Sequence, residues 1–242
     1  MSTTTAELTV GEIAARFPAS IRVFERHRID FCCGGKSPVS DACQVRGLDA
    51  ATILREIDAE IGREAPAAPD DAGWQTASLD SLIGHILSTH HSYMKTQLPR
   101  MAAMMDKVLS KHCERHGDVL EPLAGTLFAM REELESHLMK EEMILFPLIR
   151  KMEDAVQSGQ PFAGSHCGSV QNPIRVMLME HDSAGEGLER IRQLTNGLTP
   201  PEDACNTFRG LYYELGALEA DLHRHIHLEN NILFPRAVEL ER

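Results

Sequence analysis

Apolar positions along the chain recur every three or four residues, as in an α-helix, and strand-like alternation of Val, Ile and Thr is scarce. Leu, Met, Glu, Ala and Arg, which favour helix, dominate the longest of these stretches. The pattern after residue 78 predicts four long helices, which include residues 79–109, 127–152, 174–194 and 205–240. Long helices joined by loops of modest length favour an antiparallel bundle. The chain is therefore predicted to be all-α.

Shifts in composition divide the chain into three parts. Residues 1–64 are predicted to form a small N-terminal helical domain that contains the sequence Cys-Cys-Gly-Gly. Residues 65–77 are predicted to be a linker, because they begin with the tract APAAPDDAG, which is rich in Pro, Ala and Asp. Residues 78–242 are predicted to form the four-helix bundle.

Charge and composition exclude several classes of protein. The net charge of −12 leaves no basic patch for a nucleic acid. No apolar run approaches the roughly 20 residues that cross a bilayer, and the first residues lack the features of a secretory signal. Six cysteines in 242 residues do not make a disulfide scaffold. We therefore expect a cytoplasmic protein that acts on neither nucleic acid nor membrane.

One eleven-residue phrase occurs twice, as HLMKEEMILFP at 137–147 and as HIHLENNILFP at 225–235. Residues four apart share one face of a helix, so the His at position one and the Glu at position five point the same way. These pairs are His137 with Glu141, and His225 with Glu229. Both pairs lie on apolar stripes, where burial is costly unless the groups are paired or bind a metal. The Ile-Leu-Phe-Pro end of each copy is expected to form an apolar plug below them.

The number of such pairs favours a metal site. A single His-x-x-x-Glu pair is more often an ordinary hydrogen-bonded pair on a helix. Here a lone histidine precedes each pair on the previous helix, His91 before the first and His181 before the second. Four imidazoles and two carboxylates suit two ions, with both glutamates able to bridge. Iron or manganese fits these ligands better than calcium, and the lack of thiolates argues against structural zinc.

The order of these candidate ligands resembles the hemerythrin-like bundle, in contrast to the Glu-x-x-His motif of the ferritin type. The chain as a whole is similar to the RIC family, the di-iron proteins for repair of iron centres. The motifs that carry this resemblance run nearly end to end: DFCCGG at 30–35, HHSYMKTQLP at 90–99, MEHDSAG at 179–185 and both copies of the phrase. The resemblance implies about two non-haem irons per chain, bridged by oxo and carboxylate groups. The implied ligands are His91, His137, Glu141, His181, His225 and Glu229.

The resemblance also implies four further functional residues. Glu133 and Glu180 match two carboxylates that the family places beside the iron centre; the alternative for both is surface charge. Cys32 and Cys33 close only a strained ring, so no resting disulfide is expected between them. They are interpreted as a thiol pair that meets a metal or a partner's cluster, or that cycles through oxidation. The alternative is two small buried residues beside a turn.

The remaining histidines are harder to place. Periodicity does not decide between His90 and His91, and only the spacing to the Pro of the family's motif selects His91. His112 matches a histidine of the family but lies about 31 Å beyond His91 along a continuous helix, so it is left out. Four others are expected on the solvated surface: His85, His116, His223 and His227.

The function that the resemblance implies is the repair of iron–sulfur clusters damaged by nitrosative or oxidative stress, by supplying iron. The expected partners are damaged iron–sulfur proteins, with nitric oxide or dioxygen as small ligands, and a homodimer is left open. Two alternatives use the same ligands. The first is the reduction of nitric oxide or nitrite, as a di-iron oxidoreductase. The second is hemerythrin-like binding of dioxygen, for which the cysteine domain has no evident use.

Overall fold

The computed structural model describes residues 7–63, 73–162, 164 and 168–241. In this part of the chain regular structure is helical, and the one β-type pairing is an isolated bridge between Thr9 and Pro38. The α-helices are α1 (Val10–Arg16), α2 (Ser20–His27), α3 (Val39–Val45), α4 (Ala50–Arg63), α5 (Leu79–Ile86), α6 (Ser92–Lys140), α7 (Phe146–Ser158), α8 (Gln171–Leu194), α9 (Asn206–Leu228) and α10 (Phe234–Leu240). The predicted all-α class is confirmed. No described helix is long and apolar enough to cross a membrane.

The residues form two compact units, each discontinuous in sequence. The first contains Met1–Ile83, Met152–Phe162 and His223–Arg242, and the second contains Gly84–Lys151 and Ala163–Leu222. The predicted domain boundaries at 64 and 77 stay a prediction. Residues 65–72 of the predicted linker lie outside the described residues.

The N-terminal helices of the first unit pack around a small apolar core. α1 begins with a capping box, in which Glu12 N–H donates to Thr9 Oγ1 (3.2 Å) and Thr9 N–H donates to the Glu12 carboxylate (2.9 Å). Inside, the rings of Phe24 and Phe31 stack with centroids 6.3 Å apart, among buried Ile and Val side chains. Phe31 precedes the cysteine pair directly, so this core anchors the loop that carries the two thiols.

The second copy of the phrase holds the same loop through two asparagines that the first copy lacks. Asn231 Nδ2 donates to the Phe31 carbonyl (3.0 Å), and Asn230 Nδ2 donates to the Cys32 carbonyl (3.4 Å). A Cβ at Gly11 or Gly35 would stand 2.4 or 2.6 Å from Asn231 Oδ1. Only glycine therefore allows this close approach of loop, helix and asparagine.

In the second unit, α6 and α8 run antiparallel. Met130 of α6 packs against Gly187 of α8, and ten residues later Lys140 contacts Glu180, so residue numbers rise on one helix as they fall on the other. α6 contains a break at His116, where φ is −128° and ψ is 19°. The break separates the first two helices predicted from the sequence, just before the Gly-Asp pair that was expected to divide them.

Within the described ranges, three turns of π-helix interrupt the α-helices, at Leu87–His91, Glu141–Leu145 and Glu229–Leu233. In each, the next backbone N–H bonds to the carbonyl five residues earlier, as Phe146 does to Glu141 and Phe234 does to Glu229. In the two phrases a proline follows at once and has no N–H with which to continue the α-helical ladder. Turns of this kind are frequent at functional sites. Every one of the three contains a candidate metal ligand.

Candidate metal centre

Four of the predicted ligands converge in the second unit, and all four are buried. Glu141 lies between two imidazoles: its Oε2 is 3.3 Å from His91 Nε2, and its Oε1 is 3.3 Å from His137 Nε2. The Nε2 atom of His181 lies 3.1 Å from that of His137. The π turns bring about part of this convergence, because Glu141 begins one of them and His91 ends another.

The other two predicted ligands, His225 and Glu229, form the matching pair of the second phrase. His225 Nε2 lies 3.1 Å from Glu229 Oε1, four residues along the helix, and both side chains are fully buried. The i,i+4 relation read from the sequence therefore holds across the start of the π turn.

The six residues fall into two groups of possible metal ligands that share both glutamates. The groups are His91, Glu141, His225 and Glu229, and His137, Glu141, His181 and Glu229. Within each group the donor atoms all lie within 4.8 Å of one another. Two groups with two carboxylates in common form the arrangement that a pair of bridged ions requires.

The surroundings of Glu141 fit a cation. The side chain is 0% exposed, and among the described residues neither of its oxygens receives a hydrogen bond. A buried carboxylate without donors is costly, whereas a bound cation offsets that cost. Two ligands bound at about 2.1 Å and at right angles lie about 3 Å apart, close to the distances from this carboxylate to the two imidazoles.

The Nδ1 atom of His91, the ring nitrogen that does not face Glu141, is hydrogen-bonded to a carboxylate that the sequence analysis did not single out. His91 Nδ1 lies 2.7 Å from Glu142 Oε1, and Lys95 Nζ donates to both oxygens of Glu142 (2.6 and 2.8 Å). Burial raises the pKa of Glu142, but the hydrogen bonds from Lys95 and His91 lower it by more, so it lies below its ordinary value. An ionised acceptor places the imidazole proton on Nδ1 and leaves the Nε2 lone pair for a metal.

His137 has the same arrangement on the other side of Glu141. Its Nδ1 lies 2.9 Å from Glu180 Oε2, and Lys140 contacts the other oxygen of Glu180. Burial again raises the pKa of Glu180, and Lys140 and His137 together lower it below its ordinary value. Glu180, predicted to lie beside the centre, thus orients a candidate ligand through a hydrogen bond.

A cavity of about 440 Å³ opens beside two of the candidate ligands. Its lining combines exposed carboxylates, apolar side chains and imidazoles: Met130, Glu132, Glu133, Leu134, Ser136, His137, Lys140, Glu180, His181, Ser183, Ala184 and Leu222. Glu133 and Glu180 therefore share one cavity with His137 and His181. The predicted apolar plug is wrong for Ile144, which is 40% exposed, whereas the remaining Ile, Leu and Phe side chains of both phrase ends are buried.

The other histidines lie outside both groups. His90 Nδ1 lies 2.9 Å from Asp221 Oδ1, whereas His91 belongs to one of the two groups of possible ligands. His112 lies 3.2 Å from Cys205 Sγ, and His116 lies 3.0 Å from Asp203. His85, His116 and His223 are partly exposed.

His227 was predicted to lie on the solvated surface, and this prediction is wrong because the side chain is buried. Its ring is buried and lies edge-on to Phe31, at a centroid distance of 5.6 Å. Burial lowers the pKa of His227 to about 4, against a smaller opposing contribution from the Phe31 backbone. The side of the helix opposite His225 is therefore covered by the cysteine loop, which helical periodicity alone does not reveal.

The cysteine pair consists of two reduced thiols in different surroundings. Cys32 is buried, its Sγ lies 3.3 Å from Asp30 Oδ1, and the two sulfur atoms are 3.9 Å apart. The hydrogen bond to Cys33, burial and the Asp30 carboxylate raise the pKa of Cys32 well above its ordinary value. Cys33 is partly exposed and is the more accessible sulfur of the pair.

Two family models match separate parts of the chain. Residues 82–237 match the hemerythrin HHE cation binding domain, and residues 6–60 match a domain of unknown function, DUF542. The first match contains all six predicted ligands, and the second contains the cysteine pair. Each match lies within one of the two predicted domains.

Curated relatives match almost the whole chain. A protein of Musicola paradisiaca named iron-sulfur cluster repair protein YtfE is 40% identical, over 97% of this chain and 98% of its own length. Proteins of the same name from Pectobacterium atrosepticum and Yersinia pseudotuberculosis are each 39% identical, over 96% of this chain and 97% of their own. The resemblance read from the motifs is thereby confirmed. The chain belongs to the hemerythrin HHE family and, within it, to the group of iron–sulfur cluster repair proteins.

Proposed function

We propose that this protein repairs damaged iron–sulfur clusters by supplying iron from a di-iron centre. The observation that carries the proposal is the pair of ligand groups that share Glu141 and Glu229. The proposal is supported by the relatives that match almost the whole chain, because they are named iron–sulfur cluster repair proteins. Damaged iron–sulfur proteins are the partners that this function requires.

The ligands of the proposed centre are His91, His137, Glu141, His181, His225 and Glu229. Four imidazoles and two carboxylates without a thiolate suit iron better than structural zinc. Iron held there would supply a redox-active Lewis acid with coordination positions open to small ligands. The two glutamates would hold both ions, because each belongs to both groups.

The residues around the cavity would assist the transfer of iron as cargo. Glu133 is exposed on the cavity wall, and Glu180 lies between Lys140 and His137. Carboxylates along an exit attract a cation and raise its local concentration. Cys33 would accept iron or contact the client's cluster, and Cys32 would act with it as the buried member of the pair.

Metal analysis of the purified protein tests this proposal directly. We expect about two irons per chain and an absorption spectrum that changes on exposure to nitric oxide. The iron-loaded protein is then added to a nitric-oxide-treated iron–sulfur enzyme, whose recovered activity is measured against apo-protein supplied with the same amount of free iron. Protein purified with one zinc held by cysteines, or recovery no better than with free iron, contradicts the proposal.

The reduction of nitric oxide or nitrite is the second candidate, and the lining of the cavity favours it. Met130, Leu134, Ala184 and Leu222 give it an apolar wall next to His137 and His181. Such a wall suits a small uncharged molecule such as nitric oxide. Nitrous oxide produced from nitric oxide over several turnovers with an added chemical reductant, without loss of iron, would favour this candidate. Reversible dioxygen binding uses the same space but gives the cysteine pair no role.

A separate prediction concerns Glu142 and Glu180, the carboxylates hydrogen-bonded to the Nδ1 atoms of His91 and His137. Changing Glu142 or Glu180 to Gln keeps the shape but removes the charge that fixes each imidazole. We expect iron affinity to fall about 10–100-fold for either variant, measured by competition with a chelator. Glu135→Gln is the matched control, because the Glu135 partner among the described residues is Arg131, on the surface of the same helix. An unchanged affinity in both variants would contradict the orienting role.

A further inference from the structure

Gly187 and Met130 meet where α8 crosses the wall of the cavity. A Cβ added to Gly187 would stand 2.6 Å from Met130 Sδ, 2.8 Å from its Cγ and 3.3 Å from its Cε. The thioether of Met130 thus occupies the space that a side chain at position 187 would need. Met130 is buried and also lines the cavity with His137 and His181.

The flexibility of the methionine decides how a larger residue at position 187 would be accommodated. All three contacts are with Met130 side-chain atoms beyond Cβ, and none is with the backbone of α6. A methionine has three rotatable bonds, so its rotation costs less than a shift of two packed helices. The open volume next to Met130 is the cavity itself. A side chain at position 187 would therefore turn the thioether into the cavity.

We propose that Gly187, by leaving room for Met130 against α8, keeps the cavity open and sets how fast small molecules reach the metal centre. Met130 is the movable wall of the passage, and Gly187 fixes its resting position. The stripe Met130, Leu134, His137 follows one face of α6, so Met130 stands about two helical turns from the candidate ligand His137. This inference rests on the proposed function, because it takes His137 and His181 to be metal ligands.

The test measures access to the iron in the full-length, iron-loaded protein. Iron content is determined first, and then the rate of iron removal by bipyridine and the rate of nitric oxide binding are followed by absorbance. We expect Gly187→Ala to slow both rates several-fold and Met130→Ala to accelerate them. The double variant Met130→Ala with Gly187→Ala should be as fast as Met130→Ala alone, because an alanine at position 130 lacks the thioether atoms that Gly187→Ala would displace.

Gly210→Ala is the matched control. Gly210 is also a helical glycine that faces a methionine, with Met104 Cε 3.3 Å from the position of its missing Cβ, and neither residue lines the cavity. Its rates should equal those of the wild type. Equal rates in Gly187→Ala and wild type at equal iron content overturn the inference, as does a double variant as slow as Gly187→Ala. Unchanged rates in Met130→Ala overturn it independently. Absence of iron from the wild type would instead refute the proposed function.

Discussion

Replacing Glu141 with leucine is expected to reduce the iron content from about two ions per chain to less than one. Glu141 belongs to both ligand groups, so its loss removes a donor from each ion at the same time. A neighbouring imidazole replaces neither the charge nor the two oxygens of a bridging carboxylate. Glu229→Leu should have the same effect, because Glu229 is the other shared ligand.

The stability of the apo-protein separates this role from a structural one. Neither oxygen of Glu141 receives a hydrogen bond among the described residues, so the carboxylate destabilises the metal-free fold. We expect apo Glu141→Leu to be more stable than apo wild type by about 1–3 kcal/mol in urea unfolding with a chelator present. Loss of iron from a variant that is at least as stable as wild type is the signature of a ligand.

Histidines outside the two groups serve as controls. His85→Ala and His116→Ala remove partly exposed imidazoles and should leave the iron content unchanged. Iron is measured by elemental analysis on equal amounts of folded protein. Equal iron in the leucine and alanine variants would refute the ligand assignment. A leucine variant that loses iron because it unfolds would assign Glu141 a structural role instead.

The sequence predicted the paired ligands because their geometry is local. A histidine and a glutamate four residues apart share one helical face whatever the rest of the fold does. Finding this pair twice, each after a histidine on the previous helix, predicted four imidazoles and two carboxylates, although only the resemblance chose His91 over His90. The structure brings these six residues into two groups. The all-α class followed from the same periodicity.

Features that depend on irregular or long-range structure were not predictable in this way. Periodicity did not separate His90 from His91, because a π turn ends at His91 and shifts the helical register there. In the sequence, Glu142 resembled a surface charge beside Glu141. Its role depends on contacts with His91 and Lys95, which lie about fifty positions earlier in the sequence. The spacing of Lys95 four residues after His91 was an available signal.

The two copies of the phrase differ where they have different neighbours. Positions three and seven are Met139 and Met143 in the first copy and are exposed, whereas in the second they are His227 and Asn231, which meet the cysteine loop. The shared positions one and five carry the candidate ligands in both copies. The two copies thus share the helical face that carries the candidate ligands and differ on the opposite face.

Changing Cys32 and Cys33 together to serine is expected to leave the iron content intact and to abolish most of the repair activity. Neither thiol belongs to either ligand group, so metal loading should not depend on them. Delivery of iron to a client that contains sulfide differs, because it benefits from a soft and exchangeable sulfur ligand. The measurement is the recovery of a nitric-oxide-treated iron–sulfur enzyme, with wild type and variant compared at equal iron content.

The two single variants, Cys32→Ser and Cys33→Ser, are expected to lose different amounts of repair activity. Cys33 is partly exposed, whereas Cys32 is buried and keeps its proton, because the hydrogen bond to Cys33, burial and Asp30 raise its pKa. A protonated, buried thiol is a poor metal ligand and nucleophile. Cys33→Ser should therefore account for most of the loss, and Cys32→Ser for less.

Cys43→Ser is the control for the loss of a thiol from the same unit, because Cys43 is buried in the apolar core away from the loop. It should retain full repair at equal iron content. Undiminished recovery with the double variant would make the cysteine pair a packing feature. Supply of iron from the metal centre would then need only the six ligands and an open cavity.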